Sequence, residues 1–284
     1  MMIARHRFLA ILAVCMMVLS GCQSPKGEGS VRVTGDFGAP VSITIDGTIA
    51  VKAVTTVVIT QGDGQEVTED SPVLLRATSF DSRSGRVVSG YETGTVRLTT
   101  ANKQGLGDLA DQVIGRSEGS RLIVERPGLV RDDESAVEIV VVDVLYTTAY
   151  GEVEELPDPA PSGMPTIERG DGGGPAITAG GGEVPELSVV RVVTGTGSQV
   201  SVGDELALQY SVVDGNGTLI DTTWNGTGPV AVDLNSVMEG LQTGLVDQRV
   251  GSRVVVLIPS SLAAGEGDRV AVVDILAVLD GDAE

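Results

Sequence analysis

Two cysteines, one histidine and 39 carboxylates are the residues of this 284-residue chain with the widest chemical reach, and their positions remove most of it. His6, Cys15 and Cys22 all lie at the N-terminus. Beyond them there is no imidazole to serve as base, triad member or metal ligand, and no thiol pair for a disulfide or metal clip. No P-loop or dinucleotide glycine pattern occurs. Asp214-Gly-Asn-Gly217 opens like a calcium loop, but no glutamate stands at its twelfth position. Glu152, Glu154, Glu155 and Asp158 form an acidic run with nothing to fix its geometry, so they read as solvated. Neither a cofactor nor a metal is expected.

Cys22 has a different chemistry. Arg5 and Arg7 precede the apolar run Phe8–Leu19, and Leu19-Ser-Gly-Cys22 follows. A basic start, a short apolar stretch and small residues at a cut site define a secretory signal. The run is shorter than the ~20 residues that span a bilayer. The tetrad resembles the lipobox of bacterial lipoproteins, which implies cleavage before Cys22 and a lipid attached to it. Residues 1–21 are then the signal peptide and 22–30 a polar tether. The expected location is outside the cell, anchored by lipid to the outer face of the bacterial cell membrane.

Composition narrows the partners. The formal charge is −20, and it falls further once Arg5 and Arg7 leave with the signal. Such a surface repels nucleic acid and excludes it as a partner. Aromatic residues make up only 3% of the chain, while Val, Ile and Leu recur in short runs between glycine-rich turns. That pattern favours strands over helices.

The elements that position these residues occur twice. Gly35–Pro40 reappears as Gly170–Pro175, and Gln61–Val67 as Thr194–Val200. Gly119-Ser-Arg121 through Pro127 matches Gly251-Ser-Arg253 through Pro259. Val141-Val-Asp143 matches Val272-Val-Asp274. Four matches in one order indicate duplication: a first domain over 31–150, a Pro/Gly/acidic linker over 151–175, and a second domain over 176–284. In the second copy, Glu205–Val213 and Thr218–Asp221 read as strands joined by the Asn216-Gly217 turn. Val237, Leu241 and Leu245 predict a short helix over 236–242. Arg253–Ile258 and Arg269–Leu279 are continuous apolar strands. Strands, one short helix, then strands give an α+β domain, an antiparallel sheet wrapping a helix.

Further residues of the second copy fall in a recognisable order. They are Val202-Gly-Asp204, Tyr210, Leu219-Ile-Asp221, Val237-Met-Glu-Gly-Leu241, Val250-Gly-Ser-Arg253 and Ile258-Pro-Ser-Ser-Leu-Ala263 with Gly265. Together they resemble the FKBP-type peptidyl-prolyl cis-trans isomerases over about Gly195–Leu279. The resemblance implies two FKBP-like domains, each a curved antiparallel sheet around one short helix. It puts Tyr210 and Asp221 at the family's pocket tyrosine and aspartate, and Val237 and Met238 at the apolar pair whose backbone meets ligand. Ile220, Val230 and Val273 fall where phenylalanines are usual. Leu241 falls at a tryptophan and Ala264 at a tyrosine. The loop from Gly265 to Val270 is shorter than the family's. In the first copy, aligning Gly85 with Gly217 sets Thr78 opposite Tyr210 and Ser89 opposite Asp221. Glu125-Arg126 there replaces Leu257-Ile258.

The activity so implied needs no acid, base or metal, only a dry pocket that favours a twisted X-Pro amide. Its substrates would be proline-containing exported polypeptides. Lost aromatic walls imply a shallower pocket and weak activity, since each aromatic buries about 150–250 Å². Trp224 is a candidate replacement wall, or an indole packed on a loop. The first copy is expected to fold without catalysing. Two other readings remain: a non-catalytic FKBP-like binding module or holdase, and a pair of adhesive β-domains.

Overall fold

The computed structural model describes residues 29–88, 94–131, 133, 136–170, 173–178 and 182–279. Cys22, the signal peptide and Ser89 lie outside them. The first half contains β1 (Ser30–Thr34), β2 (Ser42–Asp46), β3 (Thr55–Thr60), β4 (Pro72–Asp81) and β5 (Val96–Thr100). Two single-turn helices follow, α1 (Lys103–Leu106) and α2 (Ala110–Val113), then β6 (Arg121–Arg126) and β7 (Glu138–Val144). The second half contains β8 (Glu152–Val153), β9 (Thr166–Arg169), β10 (Pro175–Thr178), β11 (Ser188–Thr194), β12 (Glu205–Asp214), β13 (Leu219–Thr222) and β14 (Val230–Asp233). It ends with α3 (Glu239–Leu245), β15 (Arg253–Ile258) and β16 (Arg269–Leu279).

Each half is a small hairpin set against a larger antiparallel sheet. In the first, β1–β2 is the hairpin and the sheet order is β3-β6-β7-β4-β5. In the second, β9–β10 is the hairpin and the order is β13-β12-β16-β15-β11-β8, with β14 also pairing β12. The α+β reading thus matches a sheet-rich chain with few, short helices. The apolar runs explain the sheet cores: every residue of β15 is buried, as are eight consecutive residues of β16. Such runs, buried on both faces, lose the alternation of a half-exposed strand.

One contact recurs in both halves. Arg121 makes a paired contact with Asp143 (Nε to Oδ1 2.6 Å, Nη2 to Oδ2 2.7 Å), and Arg253 makes the same contact with Asp274 (2.5 and 2.7 Å). Each arginine also donates to the glycine-rich turn of its hairpin. Arg121 reaches the carbonyls of Gly35 and Asp36, and Arg253 that of Gly173. Buried ions need all their partners, so this pair pins the hairpin to the sheet. The Gly-rich and Gly-Ser-Arg repeats of the sequence are the two ends of this one contact.

Several sequence expectations require correction. The stretch 151–175 is more than a linker. Val153 pairs with Val193 at the sheet edge, and Met164 and Ile167, with Ile177 just beyond the stretch, pack against the outer face of the second sheet. Its few apolar residues are too sparse to fold alone, but they bury against a surface already formed. The short helix lies at Glu239–Leu245, about one turn later than 236–242. Asp233 caps a 3-10 turn at Leu234–Ser236 instead, accepting from the Asn235 amide, and Val237 and Met238 stay extended. Strand register sets Ala77, not Thr78, opposite Tyr210, because Ala77 pairs Val142 as Tyr210 pairs Val273. The turn after Asp81 is one residue longer than the turn after Asp214, which shifts the alignment.

Candidate functional site

Side chains that alternate along two neighbouring strands line one cleft of about 330 Å³. Leu208, Tyr210 and Val212 face it from β12, and Arg269, Ala271 and Val273 from β16. Their register explains the convergence: Tyr210 pairs Val273, and Val212 pairs Ala271. Val232 of β14 and Leu241 of α3 close the interior, while Ile220, Asp221, Val237, Met238 and Ala264 complete the lining. Val273, Leu208 and Ala271 are buried, whereas Ile220, Asp221 and Ala264 are exposed.

Tyr210 and Asp221 form a hydrogen-bonded pair in this cleft. The Tyr210 hydroxyl donates to Asp221 Oδ2 at 2.8 Å, and Asp221 Oδ1 accepts from the Thr222 amide at 2.8 Å. A bulge in the β12–β13 pairing, together with a hydroxyl contact between Ser211 and Thr222 (2.7 Å), sets the two strands. Burial pushes the Tyr210 hydroxyl above its usual range, and the bond to Asp221 pushes it the same way. Tyr210 therefore stays protonated and donating well into alkaline solution. The turn after β12 is held by Asp214, whose carboxylate accepts from the Asn216 and Thr218 amides; the Thr218 bond leads in holding its pKa low.

Of the nine residues proposed for the pocket, eight line this cleft: Tyr210, Ile220, Asp221, Val237, Met238, Leu241, Ala264 and Val273. Val230 does not. It lies on the same face of β14 as Val232, two residues earlier, and Val232 takes the position instead. Leu208, Val212, Ala271 and Arg269 were not anticipated. Period-two alternation from Tyr210 and Val273 signals the first three. Arg269 is held over the cleft by bonds to the carbonyls of Glu266, Gly267 and Asp268. Asp268 in turn accepts from the amides of Ser260 and Val184, bracing the short loop.

Trp224 is not a wall of this cleft. It packs under Gly174, with the Arg253 guanidinium 5.8 Å from its ring centroid. It lines a different cavity, between the halves, together with Glu118, Thr147 and Gln209. Among the described residues no group of acidic, His or Cys side chains is arranged to hold a metal ion.

Residues 197–274 match the family model of the FKBP-type peptidyl-prolyl cis-trans isomerases, and this segment belongs to that family. Among curated proteins nothing matches. Solved structures similar to the chain include FkpA from Escherichia coli, at 24% identity over 33% of this chain and 48% of that one, with a TM-score of 0.32. The match thus spans about half of the FkpA chain. A peptidyl-prolyl cis-trans isomerase from Pseudomonas syringae aligns at 20% identity over 41% of this chain and 84% of that one, with a TM-score of 0.31. The three FKBP domains of wheat FKBP73 align at 14% identity over 80% and 95%, with a TM-score of 0.31.

Proposed function

We propose that the second half is a peptidyl-prolyl cis-trans isomerase of low activity, acting on exported polypeptides. The carrying observation is the apolar cleft with the Tyr210–Asp221 pair among its lining residues. Rotation about X-Pro meets a barrier of roughly 18–20 kcal/mol, because amide resonance must be broken. A twisted amide has less charge separation than a planar one. An apolar surface that takes in the proline ring therefore favours the twisted state over the planar one. Leu208, Val232, Leu241 and Val273 supply that surface, and the Tyr210–Asp221 pair supplies a fixed polar edge to orient the chain. No proton transfer is required, which suits a site without histidine.

In this reading the first half is a degenerate FKBP-like domain. Ala77 stands where the second half has Tyr210, and the Arg126–Glu138 ion pair (2.9 Å) makes polar the strand end where the second half has Ile258. Lipid on Cys22 would hold the whole chain at the outer face of the cell membrane. Replacing Cys22→Ala is expected to move the protein from the membrane pellet to the soluble fraction. An unchanged pellet would remove the anchor.

A protease-coupled assay on a proline peptide tests the isomerase reading. Acceleration by the wild type, and a roughly tenfold weaker one by Asp221→Ala, are the expected results. A second reading is favoured by the lining, where Tyr210 is the sole aromatic residue. It is a non-catalytic holdase, which would suppress client aggregation without speeding proline-limited refolding.

A further inference from the structure

The two sheets differ at one edge. In the second, β11 is covered by β8: Val153 and Glu152 pair Val193 and Thr194, and the Glu154 amide donates to the Val192 carbonyl at 3.0 Å. The Val190 and Val192 side chains are covered separately on the sheet face, packed in one cluster with Met164, Ile167 and Ile177. The counterpart of β11 in the first sheet is β3. Both strands pair the strand that carries the repeated arginine, Arg253 or Arg121, and both have their bulge one residue before the partner of that arginine. Thr60 therefore corresponds to Val193, Ile59 to Val192 and Val57 to Val190.

No described strand covers β3, which ends its sheet. Val57 is 54% exposed and Ile59 44%, although their counterparts Val190 and Val192 are covered. The strand, Thr-Thr-Val-Val-Ile-Thr, has no charge and no proline. Edge strands are ordinarily guarded by such residues, by a bulge or by a covering segment. This one has its bulge alone.

Charge states what fits there. In the second sheet the covering segment is acidic, and Glu154 and Glu155 share one cavity with Arg191 and Arg249. At the first edge, Val58 stands in place of Arg191 and Ser117 in place of Arg249. An acidic strand loses both of those partner charges there. An uncharged strand with β-branched side chains can take up the Ile59 carbonyl and cover Val57 and Ile59 together.

We propose that β3 is a docking edge for an extended, uncharged, β-branched segment of an unfolded polypeptide, bound by strand addition. The site is separate from the isomerase cleft and does not depend on its activity. The test uses the chain from Cys22 onward, a fluorescent peptide of about nine alternating Val and Thr residues, and anisotropy as readout. The wild type is expected to bind it, and Val57→Lys with Ile59→Lys to weaken binding about tenfold or more. A peptide copying residues 151–158 is expected to bind far less. Val57→Thr with Ile59→Thr, which keeps β-propensity, should give an intermediate loss, and circular dichroism checks the fold of both variants. Equal binding by the wild type and a folded lysine variant would overturn the proposal. So would equal binding of the acidic peptide. A wild-type dimer that the lysine variant dissolves in sedimentation would assign the edge to a second copy instead.

Discussion

Tyr210 and Asp221 stand on neighbouring strands, joined by a 2.8 Å hydrogen bond. Asp221→Ala leaves the tyrosine hydroxyl without its acceptor at the mouth of an apolar cleft. A hydrogen bond to a charged group contributes about 1.5 kcal/mol or more, so kcat/KM should fall by roughly tenfold. The upward shift of the Tyr210 hydroxyl from its ordinary value of 10.0 adds a pH signature. Its proton stays in place throughout the neutral and mildly alkaline range. The wild-type rate should therefore be flat from about pH 7 to pH 9, with no titrating base to give a bell. A descending limb within that range would put another group in the rate. The positions of this pair were legible because Tyr210 and Leu219-Ile-Asp221 keep their spacing on either side of a turn. Val230 was misread because β14 puts Val230 and Val232 on one face, and sequence spacing cannot say which of them reaches the cleft. Of the two readings open for Trp224, the packed indole is the one the structure holds. It follows Asp221 closely, yet it packs beneath Gly174 and Arg253.

α3 shows how an element sets the cleft. Gly240 and Gly244, four residues apart, are buried against the sheet, and Leu241 beside them enters the lining. A Cβ on Gly240 would lie 2.4 Å from Ile258 Cγ2, and one on Gly244 would lie 2.6 Å from Val256 Cγ1. Both neighbours are stiff β-branched side chains in a fully buried strand, so neither can swing away. Gly240→Ala should therefore push α3 off the sheet, costing about 1–3 kcal/mol in urea unfolding, with a loss of isomerase rate as Leu241 moves. Unchanged stability would mean that the helix adjusts freely. The bounds of β15 and β16 could be read from the sequence because continuous Val, Leu and Ile runs have few other uses. The start of α3 could not, because a local Asp233 cap outweighs the four-residue spacing that begins at Val237. The β9–β10 hairpin left only Met164, Ile167 and Ile177 as signals. Their burial depends on a sheet face made by residues well beyond them.

At the scale of the whole molecule, the repeated segments were legible, but the junction between the halves was not, because it joins residues far apart in sequence, Leu145 and Leu276 at matching positions among them. Leu74, Val96 and Leu145 of the first half cluster with Ala207, Leu276 and Ala277 of the second. The Gln209 amide donates to the Thr147 carbonyl at 2.7 Å, and the Ala149 amide donates to Asp274 at 2.7 Å. Glu118 lies beside this junction, where the second half has Val250, and it is only 5% exposed. Oε1 accepts from the Thr147 hydroxyl, while Oε2 has no partner among the described residues. Burial pushes this carboxyl above its ordinary 4.5 and outweighs the bonds from Thr147 and Gln65 that pull it down. A folded-state pKa above the unfolded one means that the group opposes folding once ionised. Its contribution is intact below the unfolded value and is lost as pH rises through the folded one. Glu118→Gln keeps a hydrogen-bonding amide beside Thr147 and cannot ionise. Relative to wild type, it should gain about 1–3 kcal/mol at pH 7.5 and almost nothing near pH 4, as read by urea unfolding at the two values. The comparison cancels every other carboxylate, since both chains carry the rest in common. A difference that stays constant with pH would mean that Glu118 is not charged in the folded junction at neutral pH, or that water reaches Oε2 and relieves it.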